Sequence, residues 1–333
     1  MVAEIEKIKD GYTHKTNGQK IKLVKNSDGT FSWSVHIENE SSKSDNTSRK
    51  MYPIQDIQFL DFVTPDGTGK CTHPSVVRFR TPWNGFKFWM AMTPYADTTQ
   101  ENPCIYASND GVNWVVPSGV TNPLYPAPDG TPTNYNSDTN LIYDKAQNKL
   151  IMYYREFLTT GVTIYRTEST NGVNWATKVK CKFDDVRDQI APTVIKTDKY
   201  YMYIGWTLGF YESTDGINWS NFKDCKTNID LTGRVWHCDV QVTGSKFRMI
   251  AAVELLGAPP AYQTELYYAE STDMVNWEFD SIPLIPRDPD KRIFDERVYK
   301  SCCVYYGEEL FLYISGLTSD KSERIAYTKV KLK

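Results

Sequence analysis

Glu212-Ser-Thr-Asp-Gly-Ile-Asn-Trp219 is one of four ungapped copies of an eight-residue unit, with Ala107-Ser-Asn-Asp-Gly-Val-Asn-Trp114, Glu168-Ser-Thr-Asn-Gly-Val-Asn-Trp175 and Glu270-Ser-Thr-Asp-Met-Val-Asn-Trp277. Each copy follows a short aromatic run: Cys104-Ile-Tyr, Thr163-Ile-Tyr-Arg, Phe210-Tyr and Leu266-Tyr-Tyr-Ala. Asp-Gly or Asn-Gly after such a run signals a hairpin, because glycine accepts a positive φ. The closing Trp then opens the next strand and packs between neighbouring sheets. The boxes are read as structural and are not nominated as a site.

Upstream of each box lie two more strands joined by a turn. The pairs are His73-Pro-Ser-Val-Val-Arg-Phe with Phe86-Lys-Phe-Trp-Met-Ala-Met, Asp138-Thr-Asn-Leu-Ile-Tyr with Leu150-Ile-Met-Tyr-Tyr-Arg, Ala191-Pro-Thr-Val-Ile with Tyr200-Tyr-Met-Tyr-Ile-Gly-Trp, and Cys238-Asp-Val-Gln-Val with Phe247-Arg-Met-Ile-Ala-Ala-Val. A fifth pair, Ser301-Cys-Cys-Val-Tyr-Tyr with Leu310-Phe-Leu-Tyr-Ile-Ser, precedes Arg324-Ile-Ala-Tyr-Thr-Lys-Val. A unit that recurs at this spacing predicts an all-β fold, a five-bladed β-propeller of four-stranded antiparallel blades. The blades fall near residues 73–117, 137–178, 190–222, 237–281 and 299–333 of a propeller over 65–333.

The fifth unit has three strands and no box, so residues 1–64 are expected to supply the strand that closes the ring. Thr30-Phe-Ser-Trp-Ser-Val-His-Ile37 and Ile54-Gln-Asp-Ile-Gln-Phe-Leu60 are the candidates, separated by a polar loop from Glu38 to Lys50. Residues Val2 to Lys9 offer at most an amphipathic turn or two, and no heptad stretch is long enough to trimerise the chain.

Net charge is −3, so the basic field that phosphate neutralisation needs is lacking and nucleic acid is not an expected partner. No apolar run approaches the roughly 18 residues of a membrane span, and the first residues lack the apolar core of a secretion signal. The seven cysteines have no short regular spacing and no Cys-x-x-Cys pair, which favours buried free thiols over disulfides or structural zinc.

In an up-and-down blade the start of the innermost strand and the end of the second strand meet at one mouth of the central channel. Those positions carry His73 with Thr93 and Tyr95, Asp138 with Arg155 and Glu156, Gln189 with Trp206, His237 and Asp239 with Glu254, and Tyr299 and Lys300 with Ser315. Two of the four histidines of the chain fall on this ring. His73, Asp138, Arg155, Gln189, Trp206, His237, Asp239 and Tyr299 are therefore the expected ligand-binding residues, and His73, Asp138, His237 and Asp239 could surround a metal ion or a water in the channel. No organic cofactor is expected. Trp89, Trp206, Trp236 and Tyr95 either offer flat faces to a sugar ring or fill space between twisted sheets.

These residues carry a resemblance over about residues 70–333. His73-Pro-Ser-Val-Val, Ala191-Pro-Thr-Val-Ile, Tyr200-Tyr-Met-Tyr-Ile-Gly-Trp206 and the boxes resemble the five-bladed propeller glycosidases of the arabinanase, xylosidase and fructosidase kind. Cys71-Thr-His-Pro-Ser-Val-Val, Phe88-Trp-Met-Ala-Met-Thr-Pro-Tyr and the stretch from Glu101-Asn-Pro-Cys to Val115-Val-Pro more closely resemble the propeller platforms of receptor-binding tail proteins of phages that infect Gram-positive bacteria. The glycosidase resemblance implies three carboxylates at the mouth: a base, an acid and an orienting Asp. His73 stands where those enzymes have the base Asp, so that set is broken. Asp138, Glu156, Asp239 and Glu254 remain as acids from which a pair could be rebuilt.

The tail-protein resemblance implies a virion component, made in the host cytoplasm, that contacts other tail proteins and holds a cell-wall glycan such as teichoic acid without turnover, with a homotrimer as its common state. That is the leading expectation from sequence. The alternatives are a glycoside hydrolase working at the channel mouth with a carboxylate pair, and a structural platform with no ligand.

Overall fold

The computed structural model describes residues 57–97, 100–127, 133–185, 187, 191–206, 208–228, 235–254, 263–287, 294–307 and 309–331, together with the backbone of four strands within residues 5–36. Those four, Ile5–Ile8, Gly11–Thr16, Gln19–Lys25 and Phe31–His36, form an antiparallel sheet in chain order. Ile5–Ile8 is thus a strand where an amphipathic helical turn was expected: its partner Gly11–Thr16 supplies the backbone hydrogen bonds that so short a helix could not satisfy cooperatively. The expected polar loop from Glu38 to Lys50 lies outside the described residues.

The remaining sheets are the five blades. Blade 1 runs from the channel outward as Cys71–Trp83, Phe86–Pro94 and Cys104–Ser108, and its outer position is reduced to one bridge between Ala107 and Val115. Blade 2 is Tyr135–Asp144, Lys149–Leu158, Gly161–Ser169 and Val179–Lys180. Blade 3 is Thr193–Lys196, Tyr200–Ile204, Gly209–Ser213 and Asn218–Asp224, and blade 4 is Val235–Thr243, Lys246–Glu254, Thr264–Ser271 and Asn276–Phe279. In blade 5, Cys302–Tyr306, Glu309–Leu317 and Glu323–Lys331 are completed by Gln58–Phe59, which pairs with Tyr327 and Ala326 and closes the ring.

Of the two candidates for that closing strand, Ile54–Leu60 contains it, and Phe31–His36 belongs to the N-terminal sheet. Blades 3 and 4 also depart from the four-strand expectation. Lys182–Phe183, leaving blade 2, pairs parallel with Asn218–Trp219 on the outer edge of blade 3, and Lys226–Thr227 does the same to Asn276–Trp277 of blade 4.

The boxes are self-contained turns. In the blade 3 copy Ser213 Oγ accepts the Gly216 amide at 2.9 Å, and Asp215 Oδ1 accepts the amides of Ile217 and Asn218 at 2.8 Å each. Tyrosine hydroxyls on the second strand of the preceding blade donate to the backbone of a box, Tyr313 to Gly111, Tyr153 to Gly216 and Tyr203 to Met274. Trp219 and Trp277 are 2% exposed, each in an apolar cluster drawn from two blades. At Gly172 φ is +74° and an added Cβ would lie 2.2 Å from the Trp89 ring, so this turn needs glycine for both backbone and space.

The inner strands are joined across the channel by buried side chains. Thr139 Oγ1 donates to His73 O, Asn140 Oδ1 accepts the Val194 amide, Thr193 Oγ1 donates to Cys238 O, Asp239 Oδ2 accepts the Cys303 amide, and Thr72 Oγ1 meets Ser315 Oγ. Each blade is thereby tied to the next. Much of the polarity of the inner strands therefore satisfies backbone groups that no ladder reaches. Among the described residues no helix is long and apolar enough to cross a membrane.

Candidate active site

The channel mouth is built by irregular backbone. His73, Asp138 and Ala191, at corresponding starts of the inner strands of blades 1 to 3, have φ of 55°, 53° and 54°. The ladders slip register beside His73, Asp138 and His237, between Thr72 and Ser75, Tyr153 and Arg155, and Val235 and His237. A left-handed non-glycine residue costs on the order of 1 kcal/mol or more, and a bulge re-aims the side chain it carries. Three blades use these devices at the same level, and their side chains converge.

His73, Asp138 and His237 are all buried, and each offers an atom within 4.8 Å of those of the other two. His73 Nε2 is 3.2 Å from Asp138 Oδ1, and His237 Nδ1 is 3.8 Å from the same oxygen. His73 Nδ1 lies 2.9 Å from Thr93 Oγ1 and 3.3 Å from Glu101 Oε1, with the Asp138 amide further away at 3.4 Å. Nδ1 thus has three polar neighbours, its part as donor or acceptor set by the tautomer, and Nε2 faces the Asp138 carboxylate. His73 Nε2 and both ring nitrogens of His237 make no hydrogen bond among the described residues. Buried ring nitrogens that face a carboxylate are an arrangement that a shared cation makes favourable.

The electrostatics agree. Burial pushes the His73 imidazole down to about 3 against the pull of Asp138, and His237 is likewise lowered, first by burial. Burial alone would raise the Asp138 carboxyl, but the Arg155 guanidinium, its Nε 3.1 Å from Oδ2, and Lys300 beyond it hold the group well below the usual carboxylate range. The centre is two neutral imidazoles and one carboxylate, the protonation states that metal ligation requires. Glu101 is 4% exposed, and burial together with the Asp138 charge drives its carboxyl well above the usual range. The contact between Glu101 and His73 is therefore one of neutral groups rather than an ion pair.

Around this centre Arg155 also donates to Ser137 Oγ and Tyr135 Oη, and Tyr135 stacks on Phe157 at 5.0 Å. Tyr299 sets its ring edge-on to His237 at 4.4 Å, and Arg297, paired with Glu323, lies over the other side of that ring at 4.5 Å. Trp206 has φ +66° and is 40% exposed, with its amide held by Val235 O and its ring against Trp236.

Of the residues expected from sequence, His73, Asp138, Arg155, His237 and Tyr299 come together at the mouth, with Trp206 beside Trp236 on its rim. Asp239 sits on the same strand face as His237, about 7 Å deeper, where Oδ2 accepts the Cys303 amide at 2.9 Å; it is not in the three-residue cluster. Glu156 is engaged by Lys178 at 2.7 Å, and Glu254 ends the second strand of blade 4 opposite Thr264. Gln189 lies outside the described residues. Sequence reasoning passed over Glu101, Arg297, Glu323 and Tyr135. For Glu101 the usable signal was an acid directly before Asn102-Pro103 and a strand of wholly buried residues, Cys104–Ser108.

The comparisons bear on this geometry. No protein-family model matches the chain. The chain is similar to a deacetylase. It is 27% identical to the A type blood N-acetyl-α-D-galactosamine deacetylase of Flavonifractor plautii, with 70% of this chain covered but only 37% of that protein's length. The crystal structure of an N-acetylgalactosamine deacetylase from F. plautii in complex with blood group B trisaccharide superposes with a TM-score of 0.71 at 22% identity, over 84% of this chain and 94% of that one. A thermostable family-43 glycoside hydrolase superposes at 0.57 with 14% identity, over 79% and 93% of the two chains. The chain is thus a five-bladed propeller related in fold to family-43 glycosidases. The expectation of a phage receptor-binding protein without turnover is overturned by the deacetylase similarity, which points to enzymatic processing of carbohydrate, and no comparison supports tail proteins or teichoic acid as partners. That expectation rested on the tail-protein resemblance, on the lack of a secretion signal in the first residues and on His73 in place of the base Asp.

Proposed function

We propose that the protein is an enzyme that removes the N-acyl group from an amino sugar in a glycan, working at the channel mouth with a divalent cation held by His73, Asp138 and His237. The observation that carries this reading is the convergence from three blades of two neutral imidazoles, with nitrogens that make no hydrogen bond among the described residues, on one ionised carboxylate, beside the protonated Glu101. Similarity to a carbohydrate deacetylase supports the reaction class.

A cation bound there would polarise the amide carbonyl and lower the pKa of water. The remaining work falls to the chain. His73 and Asp138 are held in place by Thr93, Ser137 and Arg155 and need not reorganise. Glu101, buried and protonated, is placed to deliver its proton to the nitrogen as the C–N bond breaks. Water adds its oxygen to the acyl carbon, one of its protons passes back to the Glu101 carboxylate, and acetic acid and a free amine leave. Trp206 and Trp236 give apolar faces for the sugar ring, whose hydroxyls would meet Arg155 and Tyr135.

Incubation with oligosaccharides ending in N-acetylgalactosamine or N-acetylglucosamine, with acetate and reducing sugar measured together, tests this. Acetate release that stops with chelator and returns with divalent cation is expected. Reducing sugar without acetate would replace this reading with glycoside hydrolysis.

A further inference from the structure

Glu101 belongs to no strand; it lies in the stretch that leads into Cys104–Ser108, so its place beside His73 has to be fixed by bonds from elsewhere. Asn136, two positions before Asp138 on the inner strand of blade 2, is fully buried and bonds to that stretch through both main chain and side chain. Its amide donates to Glu101 O at 2.9 Å. Its side-chain Nδ2 donates to Asn102 Oδ1 at 3.1 Å and to the carbonyl oxygens of Tyr125 and Pro126 at 3.2 and 3.1 Å. Three oxygens around one nitrogen identify it as the NH2 end of the amide.

The neighbours of Asn136 serve the other half of the site. Ser137 Oγ and Tyr135 Oη both accept from Arg155, and Ser137 Oγ donates to Asp138 Oδ2 at 3.4 Å. Strand alternation turns the Asn136 side chain away from those two, toward blade 1. There a strap formed by residues 122–126 backs the acid. Asn122 exchanges two hydrogen bonds of 3.0 Å with the backbone of Ile105, the Leu124 amide donates to Pro103 O at 2.7 Å, and the Tyr125 hydroxyl donates to Ala176 O at 2.6 Å. The run Tyr135-Asn136-Ser137-Asp138 thus carries a candidate cation ligand, two residues that hold Arg155, and the clamp on the stretch that bears Glu101.

We propose that Asn136 is a positioning residue for the reaction: by clamping residues 101–102 and 125–126 to the strand that carries Asp138, it holds the Glu101 carboxyl, whose Oε1 lies 3.3 Å from His73 Nδ1, where its proton can pass to the leaving nitrogen. Asn136 acts through Glu101 alone. This rests on the acid role given to Glu101 under Proposed function, and it makes that role of a blade 1 residue depend on a blade 2 side chain.

The experiment measures acetate release from oligosaccharides ending in N-acetylgalactosamine or N-acetylglucosamine, and Mn2+ affinity by calorimetry, for the wild type, Glu101→Gln, Asn136→Ala and the double variant. Asn136→Ala should lower kcat at least about tenfold, as a small displacement of a catalytic group does, with KM and Mn2+ affinity within about twofold of the wild type. The double variant should be no slower than Glu101→Gln, because the clamp has nothing left to position. Losses that multiply in the double variant, or weakened Mn2+ binding by Asn136→Ala, would make Asn136 a support of the whole mouth and overturn the proposal. Wild-type kcat in Asn136→Ala beside an impaired Glu101→Gln overturns it too, and leaves the acid role of Glu101 standing. Wild-type kcat in Glu101→Gln removes that acid role and the proposal with it, and no acetate release by the wild type overturns both the proposal and the deacetylase reading. If Asn136→Ala does not fold, Asn102→Ala, which removes one acceptor and leaves Asn136 bonded to Tyr125 O and Pro126 O, takes its place under the same criteria.

Discussion

The box turns on the flanks and the channel mouth are both made of aspartates, polar neighbours and left-handed residues, yet they differ in where the hydrogen bonds end. Asp215 accepts from two backbone amides, the Asn218 side chain and Ser213, all within five residues of one another. Asp138 meets groups from blades 1, 2 and 4, and the imidazoles facing it keep nitrogens that make no hydrogen bond among the described residues. A saturated acid is consumed in making a turn, and an unsaturated cluster is available for chemistry. The same residue type is thus architectural at one radius of the propeller and part of the candidate site at another.

The largest expected effect separates the two directly. Asp138→Asn should lower acetate release by at least about a hundredfold through loss of a cation ligand, and should also lower the unfolding midpoint because it leaves the buried Arg155 guanidinium without its carboxylate. Asp215→Asn should leave turnover intact and shift only stability, by roughly 1 kcal/mol. Comparable activity losses in both variants would erase the distinction.

Gly172→Ala tests the flank alone. Its Cβ would meet the Trp89 ring at a positive φ, so a loss of about 2–4 kcal/mol is expected in denaturant unfolding, with KM unaltered.

Acid titration of stability should sharpen the contrast next. An imidazole whose native pKa lies near 3 binds fewer protons folded than unfolded, so its contribution is fully present above about 6.5 and is lost as pH falls from there toward 3. The slope from His73 is about 1.4 kcal/mol per pH unit. Glu101 runs in the opposite sense, because its raised native pKa favours the fold at low pH, and the difference between wild type and His73→Gln isolates the imidazole. In the Asp110 box burial works against the hydrogen bonds from Asn113 and Val112, which still hold the carboxyl at about 2, so Asp110→Asn should lower stability by a constant amount above about 3.8 and change the slope of the curve only below it. Urea midpoints across pH 3 to 7 on the three proteins decide it.

The smallest effect is at the rim. Trp206→Ala should raise KM for a glycan roughly fivefold, as expected from losing about 1 kcal/mol of stacking, while kcat and melting temperature hold. An unchanged KM would remove the aromatic rim from the site.

Fold and site were unequally legible. The boxes declare themselves because every hydrogen bond that makes them spans two or three residues, and their period gives the phase of each blade. That phase was enough to pick out His73, Asp138 and His237, which lie at equivalent strand starts. It could not find Glu101, which reaches His73 from the loop before the third strand of blade 1. Nor could it show that Asp239, only two residues from His237, turns to Cys303. Apolar pattern could not choose between Phe31–His36 and Gln58–Phe59 for the closing strand, because both alternate suitably and only pairing across the molecule decides. The parallel pairs at Lys182–Phe183 and Lys226–Thr227 are two residues long and carry no periodicity to detect.

Gln58–Phe59 is held to blade 5 by a ladder of two residue pairs, with the Leu60 amide adding a bond to Ile325 O. The adjoining pair within that blade, Glu309–Leu317 with Glu323–Lys331, runs for nine. The ring is a belt with a short buckle. Local opening should begin at the seam between blades 5 and 1, and amide protons there should exchange ahead of those in the inner strands. A segment at the start of the chain thus sets how long the circle stays shut.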